Sequence, residues 1–404
     1  MLRFRSVVAA AMVAAASIAL AGCGSDAATG DGGGDTVKVG MLVSFTGNFA
    51  TQAKDFDNSF TAGLQTLTNG TMEVAGHKIE VIREDDTGDP AIGTTKAKDL
   101  IGQGVQILTG PTNSNVAIAA AQQAIQNKVL YVGGTSGTSE LVGMDDLVFA
   151  TSGASPAGNQ LYKSLFGDPK GKRIAAIGQD YAYGQDQVAQ LKSLVEPLGG
   201  EVVPYLLPQS TTDFGPLMLQ LKQNPPDFVT SFWAGAGQDQ LWNAIAAQRI
   251  PDESTVFTVL LLRSSWPATA DALGPDLLAK SVFGLSYFPG MTGNDADKAL
   301  QAYSAQHDHQ LEYDDAVGWN AAAMVVRAVS EGGTDTAKMA AALKGWTFDG
   351  PSGPVSIRAE DNQVTVPMAT VRLESDGTGG YTPQLIKLFD DKELTPPVVK
   401  PIAS

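Results

Sequence analysis

The segment Val37-Lys38-Val39-Gly40-Met41-Leu42-Val43 begins the folded part of the chain and sets the pattern that the rest follows. Its run of apolar and branched residues predicts a buried strand. Apolar residues then recur at helical spacing from Phe56 to Leu67, and Asn69-Gly70 ends that helix. A strand followed by an amphipathic helix is the unit from which layered α/β proteins are built.

The same alternation continues toward residue 150. Strands are predicted at 78–82, 105–108 and 129–132. Asp89-Pro90 predicts a helix start, because a capping acid precedes a proline in the first turn. A further helix is predicted at about 115–126. Strands that alternate with helices favour parallel pairing, so this part of the chain is predicted to form a parallel sheet flanked by helices.

A second set of elements begins after Gly158. Strands are predicted at 173–177, 201–205, 228–232, 255–259 and 282–287, with helices near 185–196, 214–223 and 238–248. Three more helices are predicted at about 295–308, 314–331 and 335–344, and the chain from residue 364 has a β-like composition. The sequence contains no internal repeat, but its two halves have similar βα patterns. It therefore predicts a two-lobed α/β protein in which each lobe contains a mainly parallel sheet.

The amino-terminal segment is typical of an export signal. Arg3 and Arg5 precede an apolar stretch that ends at Ala21, shorter than the ~20 residues needed to cross a bilayer. The stretch ends in Leu-Ala-Gly-Cys, which resembles a bacterial lipoprotein signal, and Cys23 is the single cysteine of the chain. We therefore expect residues 1–22 to be a signal peptide and Cys23 to carry lipid; the alternative is an ordinary signal peptide with a chance cysteine. Residues 23–35 are small and polar, which predicts a flexible tether.

Composition narrows the range of partners. The formal charge of the chain is −16, and cleavage before Cys23 would remove two arginines and no acid, giving −18. Such a surface repels nucleic acid and anionic lipid headgroups, so attachment to a membrane is expected to be covalent. A single cysteine allows no disulfide within one chain. The length is sufficient for two domains with their own apolar cores.

Enzymatic motifs are nearly absent from the sequence. No phosphate-binding loop is present, and Gly235-Ala236-Gly237 lacks the third glycine of a dinucleotide fingerprint. The stretch at 133–137 resembles a nucleophile elbow without matching it. His307 and His309 are predicted to be solvated residues at the end of a helix, with paired metal ligands as the weaker alternative. Asp85-Asp86 are predicted to be turn and capping residues. We expect no catalytic residue, metal or cofactor.

Two loops have a composition suited to an anion. Gly110-Pro111-Thr112-Asn113-Ser114-Asn115 follows a predicted strand and begins a helix, and residues 133–139 follow the next strand. Open α/β sheets bind ligands at the carboxyl ends of their strands. Hydroxyls, free backbone N–H groups and a helix amino terminus favour a carboxylate there. Ordinary capping loops are an equal alternative on this pattern alone.

Several further motifs resemble the leucine/isoleucine/valine-type, or type I, periplasmic binding proteins of ABC transporters. The resemblance covers most of residues 36–390, and each motif is weak alone but their order and spacing are specific. The motifs are Val37–Leu42 with Thr46-Gly47, Glu84-Asp85-Asp86 with Asp89-Pro90, Gly110-Pro111, Asp180-Tyr181-Ala182-Tyr183-Gly184, Asp213-Phe214, Pro226-Asp227 and Phe348-Asp349-Gly350-Pro351-Ser352-Gly353-Pro354-Val355.

The resemblance implies a Venus-flytrap architecture with three crossover segments between the lobes. Lobe one is expected to comprise residues 36–154 and 289–354, and lobe two residues 155–288 and 355–404. In that family the lobes close over a small ligand, and the closed form binds a membrane permease.

The resemblance also implies a set of ligand-binding residues. Counting from Gly110 places Ser114 at the family's carboxylate-binding serine, with Asn113 beside it. The second loop places Thr135 and Gly137 at the family's positions, and Ser136 or Thr138 would supply the second hydroxyl. Tyr183 corresponds to the family's lobe-two tyrosine.

The chain departs from the family's amino-acid binders at two places. The aromatic residue at the entrance maps near Gln52, and Phe49 is the nearby ring. The acid that holds a ligand ammonium is missing after the strand at 255–259, where no acid occurs before Asp271. A buried ammonium without a counter-charge is costly. Trp233, Ala234 and Trp266 instead suggest a larger apolar or aromatic pocket. Arg263 would pair with a ligand carboxylate in that pocket. The alternative is that Arg263 is an exposed surface residue.

These observations predict a lipid-anchored, monomeric solute-binding protein on the outer face of the bacterial cytoplasmic membrane. It would deliver a small organic ligand to an ABC permease; a carboxylate is favoured over a branched-chain amino acid or an amide. The alternatives are a ligand-sensing receptor of the same fold and, with least support, an extracytoplasmic hydrolase.

Overall fold

Strand β1 (Val37–Val43) lies in the middle of a parallel sheet, as its unbroken apolar run predicts. The computed structural model describes residues 35–151, 156–259, 261–398 and 400–402. The predicted signal peptide, Cys23 and nearly all of the predicted tether lie outside these residues. Within them, no helix combines the length and the apolar character that a membrane crossing requires.

The first sheet has six strands in the order β2-β3-β1-β4-β5-β6. All neighbours are parallel except the pair β2 and β3. Helices α1, α2 and α3 connect its strands. The elements are β2 (Glu73–Val74), β3 (His77–Asp85), β4 (Ile107–Thr109), β5 (Leu130–Val132), β6 (Val148–Phe149), α1 (Ala50–Leu67), α2 (Pro90–Gly102) and α3 (Ser114–Asn127).

The second sheet has seven strands in the order β16-β15-β11-β10-β9-β7-β8. The five strands from β7 to β11 are parallel, and β15 and β16 add an antiparallel edge. Its strands are β7 (Arg173–Gln179), β8 (Glu201–Leu207), β9 (Phe228–Phe232), β10 (Thr255–Val259), β11 (Ser281–Leu285), β15 (Met368–Ser375) and β16 (Tyr381–Phe389). The helices along this part of the chain are α4 (Pro156–Phe166), α5 (Ala182–Val195), α6 (Gly215–Gln223), α7 (Gln238–Ala247) and α8 (Trp266–Leu278), and α8 is kinked at Gly274.

After β11 the chain returns to the first sheet. Helix α10 packs along α1, and a small antiparallel sheet of β12, β13 and β14 follows before β15. These elements are α9 (Asp295–His307), α10 (Tyr313–Gly332), α11 (Thr336–Leu343), β12 (Thr347–Gly350), β13 (Gly353–Ile357) and β14 (Val364–Thr365), and α12 (Asp391–Leu394) follows β16. Val355 and Ile357 share one core with Phe56 and Phe60 of α1, so this core extends beyond residue 354, where the sequence analysis ended lobe one.

Most predicted strands and helices are confirmed, several with their boundaries. Asp89 caps α2 by accepting hydrogen bonds from the backbone N–H groups of Ala91 and Ile92. Asp85 and Asp86 accept hydrogen bonds from the backbone of Thr87 and Gly88 in the turn after β3, which confirms their predicted turn role. The strands β2, β6, β12 and β13 and the helices α4, α8 and α12 were not predicted.

The contact between α1 and α10 depends on a glycine. A Cβ added to Gly318 would lie 2.1 Å from Ser59 Oγ and 2.5 Å from the carbonyl oxygen of Phe56. Gly318 therefore allows the two helix backbones to approach more closely than any side chain would permit.

We expect Gly318→Ala to reduce the free energy of unfolding by about 3 kcal/mol, because the added methyl group overlaps backbone atoms that cannot move independently. Urea titration followed by circular dichroism measures the change. Gly102→Ala at the end of α2 is the matched control, because its Cβ has no neighbour within 4 Å. The control should be neutral or stabilising by up to about 1 kcal/mol. Equal stability of the two variants would contradict the close packing.

Candidate functional site

The two polar loops of the first sheet meet at the carboxyl ends of β4 and β5. The Thr135 hydroxyl donates a hydrogen bond to Thr112 Oγ1 at 3.1 Å. A Cβ on Gly134 would lie 2.4 Å from the carbonyl oxygen of Gly110, so the loops touch through their backbones. The Thr151 hydroxyl donates to the carbonyl oxygens of Gly133 and Gly134 and so holds the second loop in place. The loops therefore form one surface, as their position after neighbouring strands predicts.

A small cavity lies against this surface. Its volume is about 20 Å³, which is room for roughly one water molecule. From the first sheet and its helices, the predicted residues that line it are Phe49, Gln52, Thr135 and Gly137. From the second sheet, they are Tyr183 in the first turn of α5, and Trp233 and Ala234 in the loop after β9. Side chains attached to both sheets therefore meet at one place.

Three further lining residues were missed by the sequence analysis: Thr112, Tyr181 and Tyr313. Thr112 lies in the polar loop at 110–115 and Tyr181 in the motif at 180–184. Both could have been included with the predicted residues beside them. Tyr313 is the first residue of α10 and lies 79 residues after Ala234, the nearest other lining residue in the sequence. No local pattern distinguishes it from an ordinary helix start.

Other predicted residues lie in the loops without lining the cavity. Asn113 caps α3, and its Oδ1 accepts hydrogen bonds from the backbone N–H groups of Asn115 at 2.9 Å and Val116 at 3.5 Å. Thr138 caps the short turn that follows, where its Oγ1 accepts from the backbone N–H of Glu140. Ser114 and Ser136 are buried, and neither hydroxyl has a hydrogen-bond partner among the residues that the structure describes.

The structure does not bring Arg263 to this cavity. Its side chain lies with Trp266 beside a neighbouring open cavity of about 730 Å³. The backbone N–H groups of Arg263 and Ser264 donate to the Glu312 carboxylate at 2.5 and 2.7 Å. Glu312 therefore binds the start of the helical segment that leads into α8.

A second polar contact joins the loops of the first sheet to a helix of the second. The backbone N–H and the hydroxyl of Ser139 both donate to the Asp186 carboxylate, each at 2.6 Å. Gln187, also on α5, donates from Nε2 to the carbonyl oxygen of Gly137 at 2.8 Å. Together with the Glu312 contacts, these hydrogen bonds join elements of the first sheet to elements of the second around the cavity.

The aromatic walls of the cavity are uncharged near neutral pH. Burial, with some contribution from the Asp186 charge, raises the pKa of Tyr183. Burial likewise raises the pKa of Tyr181 and of Tyr313 well above the ordinary value. The Tyr181 ring lies 6.4 Å from the Phe49 ring and 6.0 Å from the Tyr183 ring, centroid to centroid. The cavity thus offers phenol groups on an apolar wall.

Acidic groups missed by the sequence analysis lie at the start of α10. Burial, followed by the charge of Asp55, raises the pKa of Asp314 well above its usual range, and the Thr135 side chain acts in the opposite direction. Neither carboxylate oxygen of Asp314 has a partner in good hydrogen-bond geometry within the described residues. Burial also raises the pKa of Glu312. Acids at the start of a helix are common, so no local pattern distinguishes these buried acids from exposed ones.

The prediction that His309 is a solvated helix residue is wrong. Helix α9 ends at His307, and Asp308 takes a left-handed conformation with φ of 49° that turns the chain inward. His309 Nε2 lies 2.8 Å from Asp315 Oδ1, and 12% of the His309 side chain is exposed. This hydrogen bond raises the pKa of the imidazole. His307 remains exposed and stacks on Tyr303.

Two α/β sheets with a cavity between their loops define a two-sheet binding protein of the type I periplasmic fold. Residues 36–378 match the family described as periplasmic binding protein, and the chain belongs to that family. That family is one of binding proteins rather than enzymes.

Relatives and solved structures show the same likeness over most of the chain. Leu/Ile/Val-binding protein homolog 6 of Brucella abortus is 26% identical over 88% of this chain and 92% of its own. A solute-binding protein of an ABC transporter from Rhodopseudomonas palustris BisB5, solved with 3,4-dihydroxybenzoic acid, has a TM-score of 0.72 and 26% identity over 88% and 98% of the two chains. The closed leucine-, isoleucine-, valine-, threonine- and alanine-binding protein of Brucella ovis has a TM-score of 0.75 and 20% identity over 90% and 97%.

The capping role of Asn113 leads to a stability prediction. We expect Asn113→Ala to lower the free energy of unfolding by about 1 kcal/mol without added ligand, because two N–H groups at the start of α3 lose their acceptor. Asn113→Asp keeps the acceptor and should retain the stability. Chemical denaturation of the three proteins makes the comparison, and an unchanged alanine variant would contradict the capping role.

Proposed function

We propose that this chain is a lipid-anchored extracytoplasmic solute-binding protein that delivers a small organic ligand to the permease of an ABC importer by lobe closure. The observation that carries the proposal is the cavity where loops from the carboxyl ends of strands in both sheets meet. Membership of a solute-binding family supports the same conclusion. Binding without reaction needs no nucleophile and no cofactor.

We propose that the two moving lobes are built on the two sheets, with the boundary predicted at residue 354 moved to about 366, because Val355, Ile357, Val364 and Val366 pack in the core of the first sheet. A ligand shifts such a protein toward its closed state only if it binds that state better than the open one. A ligand that touches Thr135 and Tyr183 together satisfies this condition, because the two residues lie on opposite sides of the cavity. The contacts of Ser139 with Asp186, and of Glu312 with the backbone at Arg263, would form on closure.

For the ligand, we propose a small organic carboxylate, aromatic or part of an amino acid. The aromatic wall suits an apolar or aromatic body, and Thr112 and Thr135 supply polar hydroxyl groups to the lining of the cavity. The solved relative that holds 3,4-dihydroxybenzoic acid supports an aromatic acid. The curated relatives named for leucine, isoleucine and valine support an amino acid.

A ligand screen tests the proposal. We expect benzoate or 3,4-dihydroxybenzoate to raise the melting temperature by several degrees, since a ligand that binds only the folded state stabilises it by mass action. Small-angle scattering with the same compound should show a more compact molecule. If leucine or valine alone shifts the melting temperature, the preference for an aromatic acid is wrong. A tightly bound ligand that leaves the scattering unchanged would contradict lobe closure.

A matched pair of variants tests whether the ligand binds in the small cavity. Thr135→Val keeps the shape of the side chain and removes its hydroxyl, so we expect about tenfold weaker binding of whichever screened compound binds. Thr95→Val, on the exposed face of α2, removes a hydroxyl that only bonds to the backbone of Ala91 and should leave affinity unchanged. Isothermal titration calorimetry measures both variants, and equal loss in the two would argue against the cavity as the binding site.

The anchor is tested separately. Two or more acyl chains hold a protein stably at a bilayer, whereas one holds it marginally. We expect Cys23→Ser to move the exported protein from the membrane fraction to the soluble fraction while its affinity for the screened compound stays the same. Cell fractionation followed by calorimetry makes the comparison. Retention of the serine variant in the membrane would contradict lipid attachment at Cys23.

A further inference from the structure

A buried group of charges lies between α1 and the start of α10. Four carboxylates act on one another there, those of Asp55, Glu312, Asp314 and Asp315, and His309 is the basic side chain among them. Lys54 acts on Asp55 more weakly. Grouped carboxylates in a low-dielectric interior repel one another strongly, so a further cation would stabilise the group.

Three members of the group are arranged around one point. Asp55, His309 and Asp315 each offer one ligand atom, and these atoms all lie within 4.8 Å of one another. Asp55 Oδ1 lies 3.9 Å from His309 Nδ1, and His309 Nε2 lies 2.8 Å from Asp315 Oδ1. The imidazole therefore lies between two carboxylates and presents a different ring nitrogen to each.

Among Asp55, Glu312 and Asp315, the hydrogen-bond partners show which carboxylate oxygen is free; both oxygens of Asp314 are unpartnered as well. Asp315 Oδ2 accepts from the backbone N–H of Glu312 at 2.7 Å, and both Glu312 oxygens accept from the backbone at Arg263 and Ser264. Asp55 is 5% exposed, yet its Oδ2 has no partner among the residues that the structure describes. Buried carboxylate oxygens are rarely left unpaired, so this oxygen, beside an imidazole that is itself oriented by Asp315, points to a missing ligand.

We propose that Asp55 and His309 Nδ1 bind a divalent first-row metal ion, with Asp315 as the positioning residue that holds the imidazole through Nε2. A carboxylate on the second ring nitrogen fixes the tautomer and orientation of metal-binding histidines in general. Nitrogen and carboxylate donors without a thiolate suit Zn²⁺ and Co²⁺.

The distances and the access fit this proposal. Bonds of about 2.1 Å in a tetrahedral zinc site place ligand atoms roughly 3.4 Å apart, so the 3.9 Å between Asp55 and His309 closes with a shift of about half an ångström. His309 borders the open cavity of about 730 Å³ that also contains Arg263 and Trp266. The ion would enter from this cavity, and water would complete its coordination. The proposed metal site lies outside the small cavity proposed for the solute. Metal binding there would therefore be a second binding function, separate from solute binding.

Calorimetry with Zn²⁺ on tag-free protein, stripped with a chelator, tests the proposal. We expect one ion per chain, with affinity reduced at least 100-fold in His309→Gln and in Asp55→Asn, and reduced 10- to 100-fold in Asp315→Asn. His307→Gln is the matched control, because this exposed histidine two residues away should contribute nothing. Thermal melts without metal establish that each variant is folded. Absence of Zn²⁺ binding to the wild type, or unchanged binding to His309→Gln, overturns the proposal.

A measurement on the wild type covers variants that fail to fold. Co²⁺ bound at the site would broaden the imidazole resonances of His309 in the selectively labelled protein and leave those of His77 unaffected. Equal broadening of both histidines, or none, would also overturn the proposal. Both experiments use the metal alone, so their failure leaves the solute-binding proposal untouched.

Discussion

The backbone contact between α1 and α10 fixes the geometry of the site. Gly318 faces Phe56 and Ser59, and a Cβ on Gly63 would lie 2.7 Å from Ala322 on the opposite helix. One glycine on each helix, Gly63 on α1 and Gly318 on α10, therefore allows close contact between the two helices. Because the start of α10 is held in this way, Tyr313 reaches the small cavity and Asp314 and Asp315 are buried beside Asp55. A few small residues thus position groups that lie 250 residues apart in the sequence.

The alternation of strands and helices was predictable because it depends on local periodicity. Strands β1, β9 and β10 have the predicted limits, since each is a buried apolar run with turn residues at its ends. Two-residue strands such as β2 and β6 were not predicted, because they exist only through pairing with a neighbour. Helix α8 was missed because Gly274 and Pro275 interrupt its pattern and Pro267 lies in its first turn. Its stability comes from packing, which local propensity does not report.

The residues of the candidate site also fall into two groups, those whose position local sequence predicts and those whose position it does not. Thr135, Gly137 and Tyr183 follow strands, so their place at the carboxyl edges of the sheets could be predicted. Arg263 could not be placed correctly by this rule. It follows β10 as predicted, but its backbone is bound by Glu312, and its side chain lies with Trp266 at the neighbouring open cavity. The position of His309 depends on one left-handed residue, Asp308, and aspartate gives only a weak preference for that conformation.

Glu312 connects the segment that leads into α8 with the buried charges at the start of α10. Its carboxylate accepts hydrogen bonds from the other side of the cleft, while its backbone N–H is held by Asp315, which also binds His309. Any change in the charge around Asp55, His309 and Asp315 therefore acts on a residue that joins the start of α10 to the segment leading into α8. A carboxylate that accepts two backbone N–H groups at a helix start is most effective when it is ionised, since charge-assisted hydrogen bonds are the stronger kind. A cation among the neighbouring carboxylates would favour that ionised state and so strengthen the contact of Glu312 with the backbone at Arg263 and Ser264.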